Sequence, residues 1–260
     1  MAEEAQAPDN VSIFFEGRVA IVTLNRPESL NALSPELLSE LADKLHLLDQ
    51  HPKIACSVLT GEGKAFAAGA DIKALAELNG NDILHAEWLD KWASIAKVEK
   101  PLIASVNGLA LGGGFELALM CDIIYASKEA EFGLPEVTLG VIPGAGGTQR
   151  LTHALGKHRA MEWILTGKRF TAQEAYEMGL INKVINKDML TTTVMSLAHS
   201  IAEKPNSTLT LAKEAIQSAY DGPLEHGLSE ERKRFAACFD TENQKEGMQA
   251  FLEKRKPKWV

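Results

Sequence analysis

Apolar and polar positions alternate at the start of the readable pattern. Ile13, Phe15, Val19 and Ile21 recur at period two on either side of Glu16-Gly17, which predicts a β-hairpin over 11–24. The period then changes to that of a helix: Leu37, Leu41, Leu45 and Leu48 make one apolar stripe. Ser34 is placed to cap it, Pro35 suits its first position, and Pro52 stops it. Residues 54–59 read as a strand, 82–98 as one helix, and 102–106 as a buried strand running into Gly108-Leu-Ala-Leu-Gly112-Gly-Gly, where a helix starts. Strands are expected at 122–126 and 137–141. Thr171-Ala-Gln-Glu174 is a capping box for a short helix that Gly179 ends.

Past Lys187 only helical spacing remains, over 189–203, 207–220, 224–239 and 241–254, with breaks at Pro205, Asp221-Gly222-Pro223 and Asp240. The expected organisation is a disordered N-terminal extension over 1–10, an α/β core over 11–190 that holds the site, and a helical C-terminal region over 191–260. Composition fits a soluble globular chain of one or two domains: of 260 residues, 45% are hydrophobic and 24% charged. The longest apolar stretch, from Pro101, is interrupted by Glu116, Asp122 and a glycine cluster, so it reads as core and not as a membrane span. No targeting signal is visible at either end.

A net charge of -8 excludes a general basic footprint for nucleic acid, so an anionic ligand must be held by local charge. Cys56, Cys121 and Cys238 lack the spacing of a disulfide framework or a zinc site, and no metal is expected. Nucleotide fingerprints fail when read literally. Gly63-Lys64 has Val58 and Ala65 where a P-loop needs Gly and Ser or Thr. Gly112-Gly-Gly114 and Gly144-Ala-Gly146 have Leu117 and Gln149 in place of the third Rossmann glycine.

What remains is three loops of small residues: 66–71, 112–116, and 132–136 with 143–147. The triple glycine opens a helix, where free N–H groups favour negative charge, as an oxyanion hole requires. Close helix–strand packing would also call for glycine, and on the glycines alone the two readings stand level. Glu116, between Phe115 and Leu117, and Glu136, between Pro135 and a nearly uncharged run, change that balance. One such glutamate is better read as a helix-start residue or a partner of Arg150. Two, each beside a glycine-rich loop, suit general acid–base chemistry around an enolate-like charge.

At these loops the chain resembles the crotonase superfamily, and within it the short-chain enoyl-CoA hydratases. The matching segments are Leu24-Asn-Arg-Pro27, Asn31-Ala-Leu33, 66–73, 104–116, 121–125 and 132–150, continuing through 165–167 and 175–179 to 246–248 and 251–255. The resemblance implies a crotonase-like spiral of ββα units, a C-terminal region used in oligomerisation, and assembly as a homotrimer or as a homohexamer built from two trimers. It implies reversible syn addition of water to a 2-trans-enoyl-CoA, giving a 3-hydroxyacyl-CoA, in fatty acid β-oxidation or branched amino-acid breakdown. Coenzyme A would enter as part of the substrate, with no separate cofactor.

Carried across position by position, the resemblance makes Glu116 and Glu136 the catalytic glutamates and gives the oxyanion hole to the N–H groups of Ala70 and Gly113. Ala68, Asp71, Ile72 and Lys73 would line the coenzyme path, Gly144 would help hold the water, and Phe235 and Lys254 would approach the coenzyme of a neighbouring subunit. A mitochondrial matrix location is implied for a eukaryotic source and a cytoplasmic one for a bacterial source. The alternatives are an enoyl-CoA isomerase, a hydratase for branched or acidic enoyl-CoA, or a non-catalytic RNA-binding member. Isomerisation needs a single proton-shuttling carboxylate, so the presence of two favours hydration.

Overall fold

The structure is a computed structural model describing residues 9–260. β1 (Val11–Glu16) and β2 (Val19–Leu24) form the expected hairpin, and α1 (Pro35–Gln50), capped by Ser34, leads to β3 (Cys56–Gly61) and β4 (Ala65–Ala67). Three short helices follow, α2 (Ile72–Leu75), α3 (Gly80–Leu84) and α4 (Glu87–Ala96). Next come β5 (Leu102–Val106), β6 (Leu109–Leu111), α5 (Gly113–Met120), β7 (Ile123–Ser127) and β8 (Glu131–Gly133). After α6 (Gly147–Leu155) and α7 (Lys157–Thr166), the chain forms β9 (Arg169–Thr171), α8 (Ala172–Glu177) and β10 (Lys183–Ile185). It ends in α9 (Lys187–Ala202), α10 (Asn206–Gln217), α11 (Leu224–Cys238) and α12 (Glu242–Leu252).

After the hairpin, the pairs β3-β4, β5-β6 and β7-β8 each place one strand in the larger sheet and the next in the smaller before helices follow. The larger sheet has the order β1-β2-β3-β5-β7-β10, parallel beyond the hairpin, and the smaller has the order β4-β6-β8-β9. This is the expected spiral of ββα units. Its corners are tight: a Cβ on Gly108, between β5 and β6, would lie 2.0 Å from the Lys64 carbonyl oxygen, so only glycine fits there. The buried Asn31 side chain ties the preceding corner by donating to Ala65 O at 2.9 Å and to Glu62 O at 3.0 Å.

Phe115 on α5 packs against Phe132 and Trp163, and Trp163 stacks on Phe170 with ring centroids 3.5 Å apart. These contacts fix α5 between the small sheet and α7. On the other face of the large sheet, Leu190, Val194, Met195 and Ala198 of α9 pack with Val19, Ala55, Val58 and Ile103. The boundary expected near residue 190 therefore falls inside a helix that belongs to the core packing. Of the expected extension over 1–10, residues 1–8 lie outside the described residues. Asp9 and Asn10 are tied to α1, Asn10 N donating to Glu40 Oε2 and Lys44 pairing with Asp9.

Two expected elements differ. Residues 137–141 form no strand: Pro135–Leu139 is a 3-10 turn, opened by Pro135 and ended by Gly140 at φ 80°. Its β-branched residues mimic a strand locally but face solvent beyond it, with Val141 and Ile142 exposed and in no strand pairing among the described residues. The single helix expected over 82–98 is broken at His85–Ala86. The Asn79/Asp82 capping box starts α3 early, α3 buries no side chain, and only α4 reaches the core, through Trp92 and Ile95. The three-residue strands of the small sheet are too short to show a period.

Candidate active site

The Gly112–Gly114 run separates the two roles that glycine could play there. Gly114 is the packing residue, since a Cβ on it would lie 2.0 Å from the Ala67 carbonyl oxygen. Gly112 supplies a left-handed φ of 51° at the entrance to α5. A Cβ on Gly113 would meet nothing closer than 3.6 Å, so packing does not require glycine at that position. Its N–H, at the first position of α5, has no protein acceptor among the described residues.

A second such donor faces it. Ala68 N donates to Leu30 O, Leu33 N to Gly69 O, and Asp71 N to Leu33 O, so alternate backbone groups of 68–71 are consumed by 30–33. Ala70 N–H points the other way and has no protein acceptor among the described residues. The position of a Cβ on Gly113 lies 3.6 Å from Ala70 N, from Leu33 Cδ1 and from Trp92 Cη2. Two free N–H donors thus lie close together beside apolar side chains, an arrangement able to stabilise a developing oxyanion. Trp92 was not singled out from the sequence and Leu33 entered only as part of a matching segment, because their side chains come together only in the folded chain.

Glu116, in the first turn of α5, is 3% exposed. Its Oε1 accepts from Ala145 N at 2.8 Å and from Gly147 N at 2.7 Å. Gly147 opens α6, so the carboxylate also sits at a helix N-terminus, where the dipole favours negative charge. Burial pushes its pKa above the usual carboxylate range; the N–H groups of Gly147 and Ala145, the Arg150 charge and the N–H of Gly144 pull the other way.

Glu136 lies on the 3-10 turn after β8. Its Oε1 is beside Gly112, 3.1 Å from where a Cβ would be, and that same Cβ position is 3.6 Å from Gly69 Cα. Its Oε2 is buried without a partner among the described residues. Burial, reinforced by the Glu116 charge against one stabilising backbone N–H, pushes its pKa up to about 7. Two carboxylates thus sit at one site with opposite surroundings, Glu116 in a cradle of donors and Glu136 with no external donor. Surroundings that differ in this way are able to hold one carboxylate ionised while the other keeps its proton.

The fold therefore brings together Ala70, Gly113, Glu116 and Glu136, with Gly144 on the same loop as the donors to Glu116. The other expected residues fall outside this group. Asp71 caps α2 by accepting from Lys73 N at 3.3 Å and pairs with Arg26 at 3.5 Å, and Ile72 and Lys73 are exposed. Phe235 on α11 meets Phe239 edge-on, and Lys254 follows α12 with φ 55°. Neither hydrogen-bonds or stacks with the loops carrying the two glutamates among the described residues. Among the described residues no three metal-ligating side chains are grouped to hold a metal ion, and no helix is long and apolar enough to cross a membrane.

Residues 15–260 match the family model described as enoyl-CoA hydratase/isomerase. The chain is 49% identical, over 94% of its length and 88% of the relative's, to a probable mitochondrial enoyl-CoA hydratase of Dictyostelium discoideum. It is 46% identical, over 92% of its length and 82% of the relative's, to the mitochondrial enoyl-CoA hydratase of Pongo abelii. A solved enoyl-CoA hydratase subunit from Geobacillus kaustophilus superposes with a TM-score of 0.94 at 49% identity, covering 96% of this chain and 98% of that one.

Proposed function

The chain belongs to the enoyl-CoA hydratase/isomerase family, and from that premise we propose that it is an enoyl-CoA hydratase in which Glu116 and Glu136 divide the acid–base work. Water adds to a 2-trans-enoyl thioester when a base takes a proton from the water, the oxygen bonds to Cβ, and an acid delivers a proton to Cα. Electron density moves from the double bond toward the thioester oxygen in between. Glu116, cradled by Ala145 N and Gly147 N, is suited to be the base; Glu136, with its pKa up to about 7, is suited to be the acid. The N–H groups of Ala70 and Gly113 would receive the enolate charge. After addition Glu116 holds a proton and Glu136 has lost one, and exchange between the two through the next water resets the site. The scheme balances with the thioester and water alone.

The observation that carries this reading is the pair of unused N–H donors at Ala70 and Gly113 beside two carboxylates of opposite environment. Loss of the conjugated double bond of crotonyl-CoA, followed by its ultraviolet absorbance, tests it directly. A folded chain that binds the thioester without hydrating it would refute the reading.

For the thioester's coenzyme A portion, Ala68 and the exposed Ile72 and Lys73, which flank Ala70 in sequence, would line the approach, and Gly144, whose N–H acts on Glu116, would help hold the attacking water. Phe235 and Lys254 would serve a neighbouring subunit. The C-terminal helices support that arrangement: Leu224, Phe235 and Phe251 are 73%, 65% and 83% exposed in the single chain, as expected of faces that a second copy covers in a homotrimer or a dimer of trimers. The proposed setting is acyl-CoA breakdown in the mitochondrial matrix or, for a bacterial source, the cytoplasm.

A further inference from the structure

We infer that Arg150 is a positioning residue for hydration, clamping the Ala145–Gly147 loop from behind so that its N–H groups hold Glu116 in register. This rests on the acid–base reading above. Arg150 Nη1 donates to Ala145 O at 3.0 Å, while Ala145 N donates to Glu116 Oε1 at 2.8 Å. One residue thus links the guanidinium on one side to the catalytic carboxylate on the other. Gly146 makes the arrangement possible: its φ is 100°, and a Cβ on it would lie 2.0 Å from Arg150 Nη1, so a side chain there would displace the clamp.

The placement of Arg150 is otherwise unfavourable. It lies in the first turn of α6, where the helix dipole disfavours a cation, and it is half-buried. It makes no ion pair within 4 Å among the described residues. A cation in that position is accounted for by its carbonyl contact and by its field on Glu116, whose pKa the Arg150 charge lowers. Arg150 from α6 is the charged group acting on Glu116, whereas Glu136 from the 3-10 turn is itself raised by the Glu116 charge. Removing Arg150 takes away the one charge that favours the ionised form of Glu116 and pushes the base toward its protonated form. It also frees the loop, and displacement of a catalytic group by about 1 Å costs on the order of 100-fold in rate.

The test compares the wild type with Arg150→Gln and Arg150→Lys in the full chain, measuring kcat and KM for crotonyl-CoA from pH 5 to 9 together with thermal midpoints. In Arg150→Gln, kcat should fall on the order of 10- to 100-fold with KM nearly constant, and the acidic limb of the kcat profile should move to higher pH. Arg150→Lys keeps the charge and loses the planar fork, so its acidic limb should stay at the wild-type position while kcat recovers only in part. An unmoved limb in Arg150→Gln, with activity tracking the folded fraction, overturns the inference. If Arg150→Gln does not fold, the Lys variant decides: wild-type kcat would overturn the clamp. Glu116→Gln is the control, since full hydration by that variant would refute the acid–base reading itself, whereas an inactive Glu116→Gln beside an unmoved Arg150→Gln limb refutes only the role of Arg150.

Discussion

Gly147 N lies 2.7 Å from Oε1 of Glu116, joining the first peptide of α6 to the first turn of α5 across 31 residues of chain. The contact is close enough that a side chain at 147 would collide: a Cβ there would lie 2.9 Å from that same oxygen. Two helix N-termini are thereby turned toward one site. α5 leaves its Gly113 N–H free, and α6 spends its first N–H on holding the Glu116 carboxylate. The identity of each glycine follows from what must approach it.

Glu116→Gln and Glu136→Gln should each lower kcat by about 10²–10⁴-fold with the thioester Kd nearly unchanged, because both replacements keep shape and remove a proton-transfer group. Steady-state kinetics paired with calorimetric binding checks this. Near-normal turnover in either variant would remove that residue from the chemistry.

The glycine run gives an ordered series. Gly113→Ala keeps the N–H and meets only 3.6 Å contacts, so it should fold and retain activity; Gly113→Pro removes the N–H at the first helical position, where proline is tolerated, and should fold without turnover. Gly114→Ala drives a Cβ into the Ala67 carbonyl and should lose about 1–3 kcal/mol of stability or more. Circular dichroism, thermal midpoint and kcat on the same preparations separate the two effects. An active Gly113→Pro enzyme would end the oxyanion assignment.

Glu136 should impose a pH dependence of defined sign. Its folded pKa of about 7 is above the ordinary 4.5, so the folded state keeps a proton that the unfolded chain releases. Its contribution to stability is full below pH 4.5 and is lost as pH rises through 7. Activity needing the protonated acid should fall over the same upper range. Glu136→Gln cannot ionise, so its thermal midpoint should gain on the wild type between pH 5 and pH 8. A midpoint difference independent of pH would show that Glu136 is already ionised in the folded chain.

Lys213 of α10 pairs with Asp122 at 2.8 Å, and Asp122 also accepts from Leu102 N at 2.8 Å, at the entrance to β5. Lys213→Met leaves the partly exposed Asp122 carboxylate without its cation and should cost about 1 kcal/mol, read as a shift in the denaturation midpoint. Because the pair lies apart from Glu116 and Glu136, kcat per folded molecule should be retained. A fall in kcat without a fall in stability would place the pair in the catalytic machinery.

Hydrophobic periodicity and short-range capping by themselves determined the hairpin at 11–24, the Ser34-capped α1, the buried strand β5 and the Thr171–Glu174 box, because each depends on residues within a few positions of one another. The two out-of-place glutamates and the glycine-rich loops were visible for the same reason: a charge in an apolar run stands out locally. The family resemblance assigned Ala70, a residue with no chemistry of its own in its side chain.

Tertiary structure alone decided the rest. Whether Ala70 N–H and Gly113 N–H are free depends on where the acceptors of distant segments fall, and 30–33 takes every second group of 68–71. Which of three adjacent glycines packs and which donates depends on Ala67 lying against Gly114 and not Gly113. The 3-10 turn at Pro135–Leu139 replaced a strand because no neighbouring strand was there to pair with it. The split between Glu116 and Glu136 is likewise set by burial and by donors from α6, which are properties of the folded interior that local sequence does not encode.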